Sequence, residues 1–287
     1  MGLGEISALW IGSALGPLES TCLSSFTREG FEVNLYTYEQ TLEVPDGISV
    51  LDAADIVPKA DAFENRDRPG TFAAFSDVFR YRLLSSVKTT WVDTDVLCLT
   101  DSLPGGEYLL GWEDQNHVNG AILRAPRDSE FLQFCESAVQ SADLASVSWG
   151  AIGPALVTRA VETCGLAPIV LPTQALYPIH FSRIWEVFDP SRTKALENYF
   201  RESSTLHLWN EVLRRFPDLK TRRPPRGSFM EMHFERAGVL SRLGPELELD
   251  WVRKVFRRGI DPRYSMRGRI RSSLASIRTG FQGGGGT

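Results

Sequence analysis

Apolar and polar positions alternate along the first half of the chain in a pattern of short strands and longer amphipathic helices. The runs "ISALWIG" (6–12) and "EVNLYTY" (32–38) are rich in β-branched and aromatic residues, which favour strands. Between them, "PLESTCLSSFTREG" begins with a proline and ends with a glycine, as helices commonly do. The order of strand, helix and strand predicts a βαβ unit at the start of the chain.

The same alternation continues through the middle of the chain. Residues 70–87 carry phenylalanine and leucine at helical spacing and lead directly into "TTWVDTDVLCLTD" (89–101), which has the apolar content of a buried strand. Residues 128–142 predict another helix, with Asp128 as its N-cap. Further strands are predicted at 108–112, 118–125 and 205–209. We therefore predict an α/β fold, a mixed sheet with helices on both faces.

Asp93 and Asp95 interrupt an otherwise apolar strand pattern. An isolated buried carboxylate is costly, so such a pair is expected to meet a cation. Carboxylates at i and i+2 lie on one side of an extended segment, about 6 to 7 Å apart. Mg²⁺ or Mn²⁺ bound to a diphosphate accepts few protein carboxylates and fills its other positions with water and phosphate oxygens. Aspartates also end strands as turn formers and caps, so the pair alone does not establish a metal site.

Composition and length limit the classes of protein to consider. The chain has 287 residues, of which 43% are hydrophobic and 23% charged, as in ordinary globular proteins. We see no signal-peptide pattern and no apolar run long enough to cross a membrane, and we expect a cytoplasmic protein. The four cysteines are far apart and form no CxxC pair, so neither a zinc site nor a disulfide framework is predicted.

The C-terminal end differs in charge from the rest of the chain. Residues 251–287 carry nine Lys or Arg and only Asp261 as an acid, although the whole chain has a net charge of −5. "RRPPRG" (222–227) is a proline-rich break, so we predict a catalytic domain at 1–221 and a basic helical extension at 222–287 with a flexible glycine-rich end. An apolar stripe from Met266 to Phe281 fits either an anionic inner membrane leaflet or packing on the domain. Nucleic acid is disfavoured because the remaining chain is acidic.

Several short motifs occur in the order found in one enzyme family. Ser76, Asp77 and Arg80 occupy a predicted helix that runs into the strand with Asp93 and Asp95, and this block resembles the DxD sugar-binding region of glycosyltransferase family 32, which has the GT-A fold. The region is shared with capsule transferases, α-1,4-glycosyltransferases and the large clostridial glucosylating toxins. Further similar segments are "LWIGSALGP", "NGAI" (119–122), "IGPALVT" (152–158), "LYPIHF" (176–181) and "HLWN" (207–210). "SSVKTT" departs from the family's Gly-Gly before the DxD strand.

The resemblance implies roles for individual residues. Mn²⁺ or Mg²⁺ would be held by Asp93, Asp95 and His207, with Arg80 as a further catalytic residue. The donor, a nucleotide diphosphate sugar, would be contacted by Trp10, Ile11, Gly12, Ser76, Asp77, Arg80, Asn119, Gly153, Trp209 and Asn210. The resemblance further implies retention of the anomeric configuration. We expect transfer of a hexose from a nucleotide diphosphate sugar, a UDP-sugar in preference to a GDP-sugar, to a glycan or lipid-linked acceptor, as in capsule or surface polysaccharide synthesis; the sequence leaves the donor base and the donor sugar open. No motif assigns a nucleophile or a base.

Two other functions use some of the same residues. A metal-dependent phosphohydrolase also clusters aspartates, but it usually gathers more carboxylates or histidines than this sequence offers in recognisable motifs. A non-catalytic sugar-binding protein would keep Trp10 and Asp77 and lose the metal pair. Intact Asp93 and Asp95 argue against the latter.

Overall fold

We analysed a computed structural model that describes residues 4–66, 68–144, 147 and 150–259. The strands are β1 (Glu5–Trp10), β2 (Glu32–Thr37), β3 (Ile48–Asp52), β4 (Thr90–Val92), β5 (Val96–Cys98), β6 (Leu109–Trp112), β7 (Val118–Arg124), β8 (Thr205–His207), β9 (Arg222–Arg223) and β10 (Gly244–Glu246). The α-helices are α1 (Pro17–Arg28), α2 (Ala73–Ser86), α3 (Glu130–Ser141), α4 (Pro154–Thr163), α5 (Thr173–Leu176), α6 (Thr193–Tyr199), α7 (Asn210–Leu213), α8 (Asp218–Thr221), α9 (Phe229–Arg236) and α10 (Leu249–Gly259). Short 3₁₀ helices cover Ala53–Asp55, Lys59–Asp61, Ala167–Ile169, Phe181–Phe188, Pro190–Arg192, Phe200–Glu202 and Leu240–Arg242.

Six strands form the central sheet in the order β3-β2-β1-β4-β7-β6. Strands β1 to β4 are parallel to one another, whereas β7 runs antiparallel to both of its neighbours. The ends of β1, β4 and β6 and the start of β7 therefore share one edge of the sheet. Ligands of such open α/β sheets bind beyond the carboxyl ends of the strands.

Helices cover both faces of the sheet, as the sequence predicts. Leu9 and Tyr36 face a core that includes α2, α3 and α4, while Ile6 and Ala8 face a core that includes α1. Alternate residues of a strand point to opposite faces, which explains why neighbours on β1 belong to different cores. The predicted α/β class with a mixed sheet is confirmed.

The structure corrects three details of the sequence analysis. The apolar run at 89–101 is two strands rather than one, because the chain turns at Asp93–Asp95 and β5 leaves the central sheet to pair with β8. Strand β3 was not predicted, since every one of its residues is at least partly exposed. Ser129, not Asp128, is the N-cap of α3, and its hydroxyl accepts a hydrogen bond from the backbone N–H of Leu132.

A second apolar core lies outside the sheet. It joins the outer face of α1, through Leu18 and Cys22, to residues 179–219 and to α9 and α10. The described part of the predicted extension, 222–259, thus packs on the rest of the chain, and a boundary at 221 stays a prediction. The stripe from Met266 to Phe281 lies outside the described residues. Within the described ranges, no helix is long and apolar enough to cross a membrane.

Candidate active site

A cavity of about 500 Å³ opens at the shared edge of the sheet. Its volume suits a small-molecule ligand. It is lined by most of the residues that the sequence singles out, namely Trp10, Ile11, Ser76, Asp77, Arg80, Asp93, Asp95, Asn119, His207, Trp209 and Asn210. Gly12 and Gly153 lie beside Trp10 and Asp77 respectively. The folded chain thus brings distant parts of the sequence to one place.

Asp93, Asp95 and His207 form a cluster in this cavity. Each offers one ligand atom, and these atoms all lie within 4.8 Å of one another. Two carboxylates and an imidazole are ligands that a divalent cation accepts, and they leave coordination positions for phosphate oxygens and water. The donor set therefore fits the Mn²⁺ or Mg²⁺ that the resemblance implies. The identity of the ion remains a proposal.

The cluster is electrostatically linked through Asp95 and His207. Nε2 of His207 lies 3.2 Å from Oδ2 of Asp95. Burial alone would raise the pKa of Asp95, but the charge and hydrogen bond of His207 lower it below the usual range. Burial would likewise lower the pKa of His207, and Asp95 raises it instead. A cation that binds through Nε2 must compete with a proton for this nitrogen.

An unusual backbone conformation holds the second aspartate in place. Among the described residues other than glycine, Trp209 alone has a positive φ, 55°. Left-handed backbone costs a non-glycine residue about 1 to 2 kcal/mol. The turn directs the backbone N–H of Asn210 at Oδ2 of Asp95, 2.7 Å away, and the indole N–H of Trp209 bonds to the carbonyl of Ile179 at 2.8 Å. The conformation is therefore tied to the geometry of the carboxylate.

Arg80 links α2, on which it lies, to the cluster of Asp93, Asp95 and His207. Nη2 donates to Oδ1 of Asp93 at 2.9 Å, and Nη1 lies 3.0 Å from Oδ1 of Asp77. The guanidinium also lies over the ring of Trp91, 5.2 Å from its centroid. Burial would lower the pKa of Arg80, but Asp93 and Asp77 raise it well above its ordinary value. This side chain remains charged and fixed at any accessible pH.

Two glycines leave room for the Asp77–Arg80 pair. A Cβ on Gly120 would collide with Nη1 of Arg80, and a Cβ on Gly153 would lie 2.7 Å from Oδ2 of Asp77. Because Arg80 is shared with Asp93, its charge only partly offsets the burial of Asp77. Burial consequently raises the pKa of Asp77 to about 7. Gly153 was expected at the site from the sequence, whereas the role of Gly120 was not.

Trp10 lies at the end of β1 on the cavity wall. A Cβ on Gly12 would lie 3.2 Å from its indole Nε1, so the glycine permits this close approach of the ring to the backbone. In the described part of the chain, that Nε1 has no hydrogen-bond partner. An aromatic face at a cavity wall suits a stacked base.

Sequence reasoning missed several residues of the cavity. Glu113 follows β6 as Asp93 follows β4, and it is buried with only 3% of its surface exposed. Burial raises the pKa of its carboxyl to about 7. Arg214, Arg215 and Lys220 also line the cavity, where the first two pair with Glu211 and the third pairs with Glu19. The available signal for Glu113 was an acid directly after an apolar strand, "YLLGWED".

Comparison with known proteins supports the same enzyme class. Residues 127–221 match the model of the "Alpha 1,4-glycosyltransferase conserved region". The chain is 27% identical over 168 residues to the lactosylceramide 4-alpha-galactosyltransferase of Gorilla gorilla gorilla, covering 54% of this chain and 51% of the relative. It is 27% identical over 159 residues to the enzyme of the same name from Rattus norvegicus, covering 52% and 44%. The matches span about half the length of these relatives or less.

Among solved structures, the galactosyltransferase LgtC in complex with donor and acceptor sugar analogues is similar with a TM-score of 0.43 and 10% identity, over 84% of this chain and 97% of that one. The PaToxG glycosyltransferase gives a TM-score of 0.40 and 11% identity, over 58% and 73%. The predicted resemblance to α-1,4-glycosyltransferases is confirmed by the family model and the named relatives.

Proposed function

We propose that this protein is a metal-dependent glycosyltransferase that moves a hexose from a nucleotide diphosphate sugar, with UDP preferred to GDP, to a hydroxyl of a glycan or lipid-linked acceptor. One observation carries the proposal: the cluster of Asp93, Asp95 and His207 shares a cavity with the buried Asp77–Arg80 pair. The first set suits a cation with a diphosphate, and the second suits a polyol. The match of residues 127–221 to a glycosyltransferase model supports it.

Three groups of cavity residues suit the three parts of the donor, which are the base, the diphosphate and the sugar. Trp10 supplies an aromatic surface for the base, with Ile11 beside it. Asp93, Asp95 and His207 would hold the cation that accompanies the diphosphate. Asp77 and Arg80 present an acceptor and a fork of donors to the hydroxyls of the sugar. Arg214, Arg215 and Lys220 add cationic side chains for the phosphates.

The chemical difficulty of the reaction is the departure of an anionic diphosphate from a sugar that develops positive charge. A divalent cation, when bound, neutralises charge on that leaving group as a Lewis acid. Arg80 keeps Asp93 oriented through a 2.9 Å hydrogen bond, and the backbone N–H of Asn210 does the same for Asp95. Fixed groups of this kind stabilise charge without having to reorganise during the reaction. Retention of the anomeric configuration is part of the proposal and rests on the family resemblance.

The proposal is tested by release of UDP from UDP-galactose, UDP-glucose and UDP-N-acetylglucosamine, with lactose as a soluble acceptor. Galactose and lactose are chosen because the relatives are named lactosylceramide galactosyltransferases. We expect release that requires Mn²⁺ or Mg²⁺ and stops in EDTA, and a retained linkage in the product. Full activity in EDTA would overturn the metal assignment. Phosphate release from nucleotides alone would favour a phosphohydrolase.

We also propose that the basic tail, residues 260–287, which carries five of the nine cationic side chains of 251–287, places the enzyme at an anionic membrane surface where a lipid-linked acceptor lies. Each Lys or Arg near such a surface contributes on the order of 1 kcal/mol. The test is sedimentation with anionic and neutral liposomes, in which the full chain is compared with one ending at Gly259. This end point keeps Val252 and Phe256, which are buried in the second core. Equal binding of the two chains would leave the tail without this role.

A further inference from the structure

Glu113 is a buried carboxyl with one oxygen in use and one without a partner. Oε2 accepts a hydrogen bond from Nδ2 of Asn119 at 2.6 Å. Oε1 is buried, and within the described part of the chain it has no hydrogen-bond partner, so a ligand in the cavity meets it when the carboxyl turns toward that cavity. Glu113 lines the cavity of the candidate active site. Buried polar atoms are nearly always hydrogen-bonded in native proteins, so an exception in a cavity requires an explanation.

The backbone that carries this carboxyl is held in a tight turn. The backbone N–H of Glu113 bonds to the carbonyl of His117 at 2.8 Å, which closes the turn between β6 and β7. Asp114 fixes the same turn by accepting from the backbone N–H groups of Asn116 and His117, at 2.7 and 2.9 Å. The side chain of Glu113 therefore extends from a backbone that a tight hairpin fixes in place.

Asn119 is fixed at both ends of its amide. Its Oδ1 accepts from the backbone N–H of Ala121 at 2.7 Å, and its Nδ2 donates to Glu113. One acceptor atom is all that this arrangement needs, and a glutamine could supply it. Among the described residues, the second oxygen of Glu113 has no hydrogen-bond partner, and a buried acceptor of this kind beside a cavity points to a ligand.

We infer that Glu113 binds a sugar hydroxyl directly, through a hydrogen bond from that hydroxyl to Oε1, while Oε2 holds Asn119. The inference rests on the proposed function and adds a residue to its substrate site. A carboxylate oxygen accepts from a hydroxyl, and such charge-assisted bonds are the strong ones. The hydroxyl belongs either to the transferred sugar or to the acceptor, and the experiment separates these sources.

The test compares Glu113→Gln with the wild-type chain and with Glu107→Gln, in which an exposed carboxyl is changed in the same way. Binding of UDP and of UDP-galactose in Mn²⁺ is measured by calorimetry, and transfer to lactose gives KM for donor and acceptor. Loss of a hydrogen bond to a charged group predicts a change of roughly 10- to 150-fold. We expect Glu107→Gln to match the wild type. Thermal melting checks that both variants are folded.

If the hydroxyl is on the transferred sugar, Glu113→Gln weakens the binding of UDP-galactose by roughly 10- to 150-fold and leaves the binding of UDP unchanged. One monodeoxy analogue of UDP-galactose should then weaken the wild type equally and cause no further loss in the variant. If the hydroxyl is on the acceptor, UDP-galactose binds normally and KM for lactose rises by the same factor. Unchanged donor and acceptor constants in an active enzyme, or equal weakening of UDP and UDP-galactose, would overturn the inference. A wild-type chain that binds no UDP-sugar would overturn the proposed function itself.

Discussion

The burial of Glu113 predicts a measurable loss of stability at neutral pH. Burial raises the pKa of this carboxyl from the ordinary 4.5 to about 7. The folded protein then holds a proton that the unfolded chain releases, so the stability that this group contributes is present below pH 4.5 and is lost as pH rises through 7. At about 1.4 kcal/mol per pKa unit, ionisation of the native carboxyl costs about 3 kcal/mol at pH 8.

Glutamine at this position has no proton to lose and keeps the hydrogen bond to Asn119. Relative to the wild type, the free energy of unfolding of Glu113→Gln should therefore increase by about 2.5 kcal/mol between pH 5 and pH 8. Because 287 residues unfold with an entropy of about 0.6 kcal/mol/K, the melting temperature of the variant should rise relative to the wild type by about 4 °C between pH 5 and pH 8. The variant proposed to weaken substrate binding should thus gain stability relative to the wild type as pH rises, a trade-off seen at functional residues.

Urea unfolding at pH 5 and pH 8 measures the effect, with the exposed Glu107→Gln as the matched control. Other titrating groups are common to all three proteins and cancel in the differences. The control should shift by less than about 0.5 kcal/mol at both pH values. An equal difference between Glu113→Gln and the wild type at the two pH values would refute the reasoning, because the carboxyl would then titrate alike in the folded and unfolded chains. A constant offset at both pH values reflects the buried amide NH2 of glutamine and is subtracted.

The other residues of the cavity give three further predictions. Asp95→Ala and Asp93→Asn should each abolish Mn²⁺ binding in calorimetry and sugar transfer in the UDP-release assay, because each removes a negative charge that faces the cation. Near-normal turnover in both variants would contradict the metal site. Arg80→Lys loses the planar fork of the guanidinium and should weaken the binding of UDP-galactose but not that of UDP. Trp10→Ala should weaken the binding of UDP itself by about 1 to 3 kcal/mol. Equal effects of the two variants on UDP binding would show that these roles are wrong. Gly153→Ala should weaken the binding of UDP-galactose but not that of UDP, since the new Cβ would lie 2.7 Å from Oδ2 of Asp77. Unaltered binding of UDP-galactose would count against Asp77 as a sugar ligand.

The parts of the fold that the sequence predicts are the buried ones with clear local signals. β1 and β2 are runs rich in apolar and β-branched residues, α1 begins at a proline, and α2 carries several buried aromatic and aliphatic side chains. Strand β3 has no such contrast, because it lies at the edge of the sheet and each of its residues is partly exposed. Local pattern therefore finds buried elements and misses an edge strand.

The break between β4 and β5 illustrates a different limit. The apolar residues continue through it, so periodicity alone predicts one strand. The turn is secured by the backbone N–H groups of Leu208 and Asn210, which bond to the carbonyl and the carboxylate of Asp95. These partners come from the other end of the domain, and no local pattern encodes them.

For the site, sequence reasoning named residues that occur in recognisable motifs. It overlooked Glu113 although the same signal was present, an acid directly after an apolar strand at the same edge of the sheet as Asp93. Gly120 could be understood only once Arg80 was seen to occupy the space where its Cβ would lie. Sequence motifs identify candidate functional side chains, but the residues that leave space for those side chains are recognised only in the structure.

The residues of the cluster lie far apart in sequence, and this separation has a consequence for synthesis of the protein. Asn210 and Asp95 are 115 residues apart, and His207 lies three positions before Asn210. Chains grow from the N-terminus and can begin to fold before they are complete. A nascent chain that has folded its first strands can place Asp93 beside Arg80, but neither the imidazole of His207 nor the amide of Asn210 exists yet. The cluster of Asp93, Asp95 and His207 is therefore completed late in synthesis, and a chain interrupted before residue 207 has the Asp77–Arg80 pair without the imidazole.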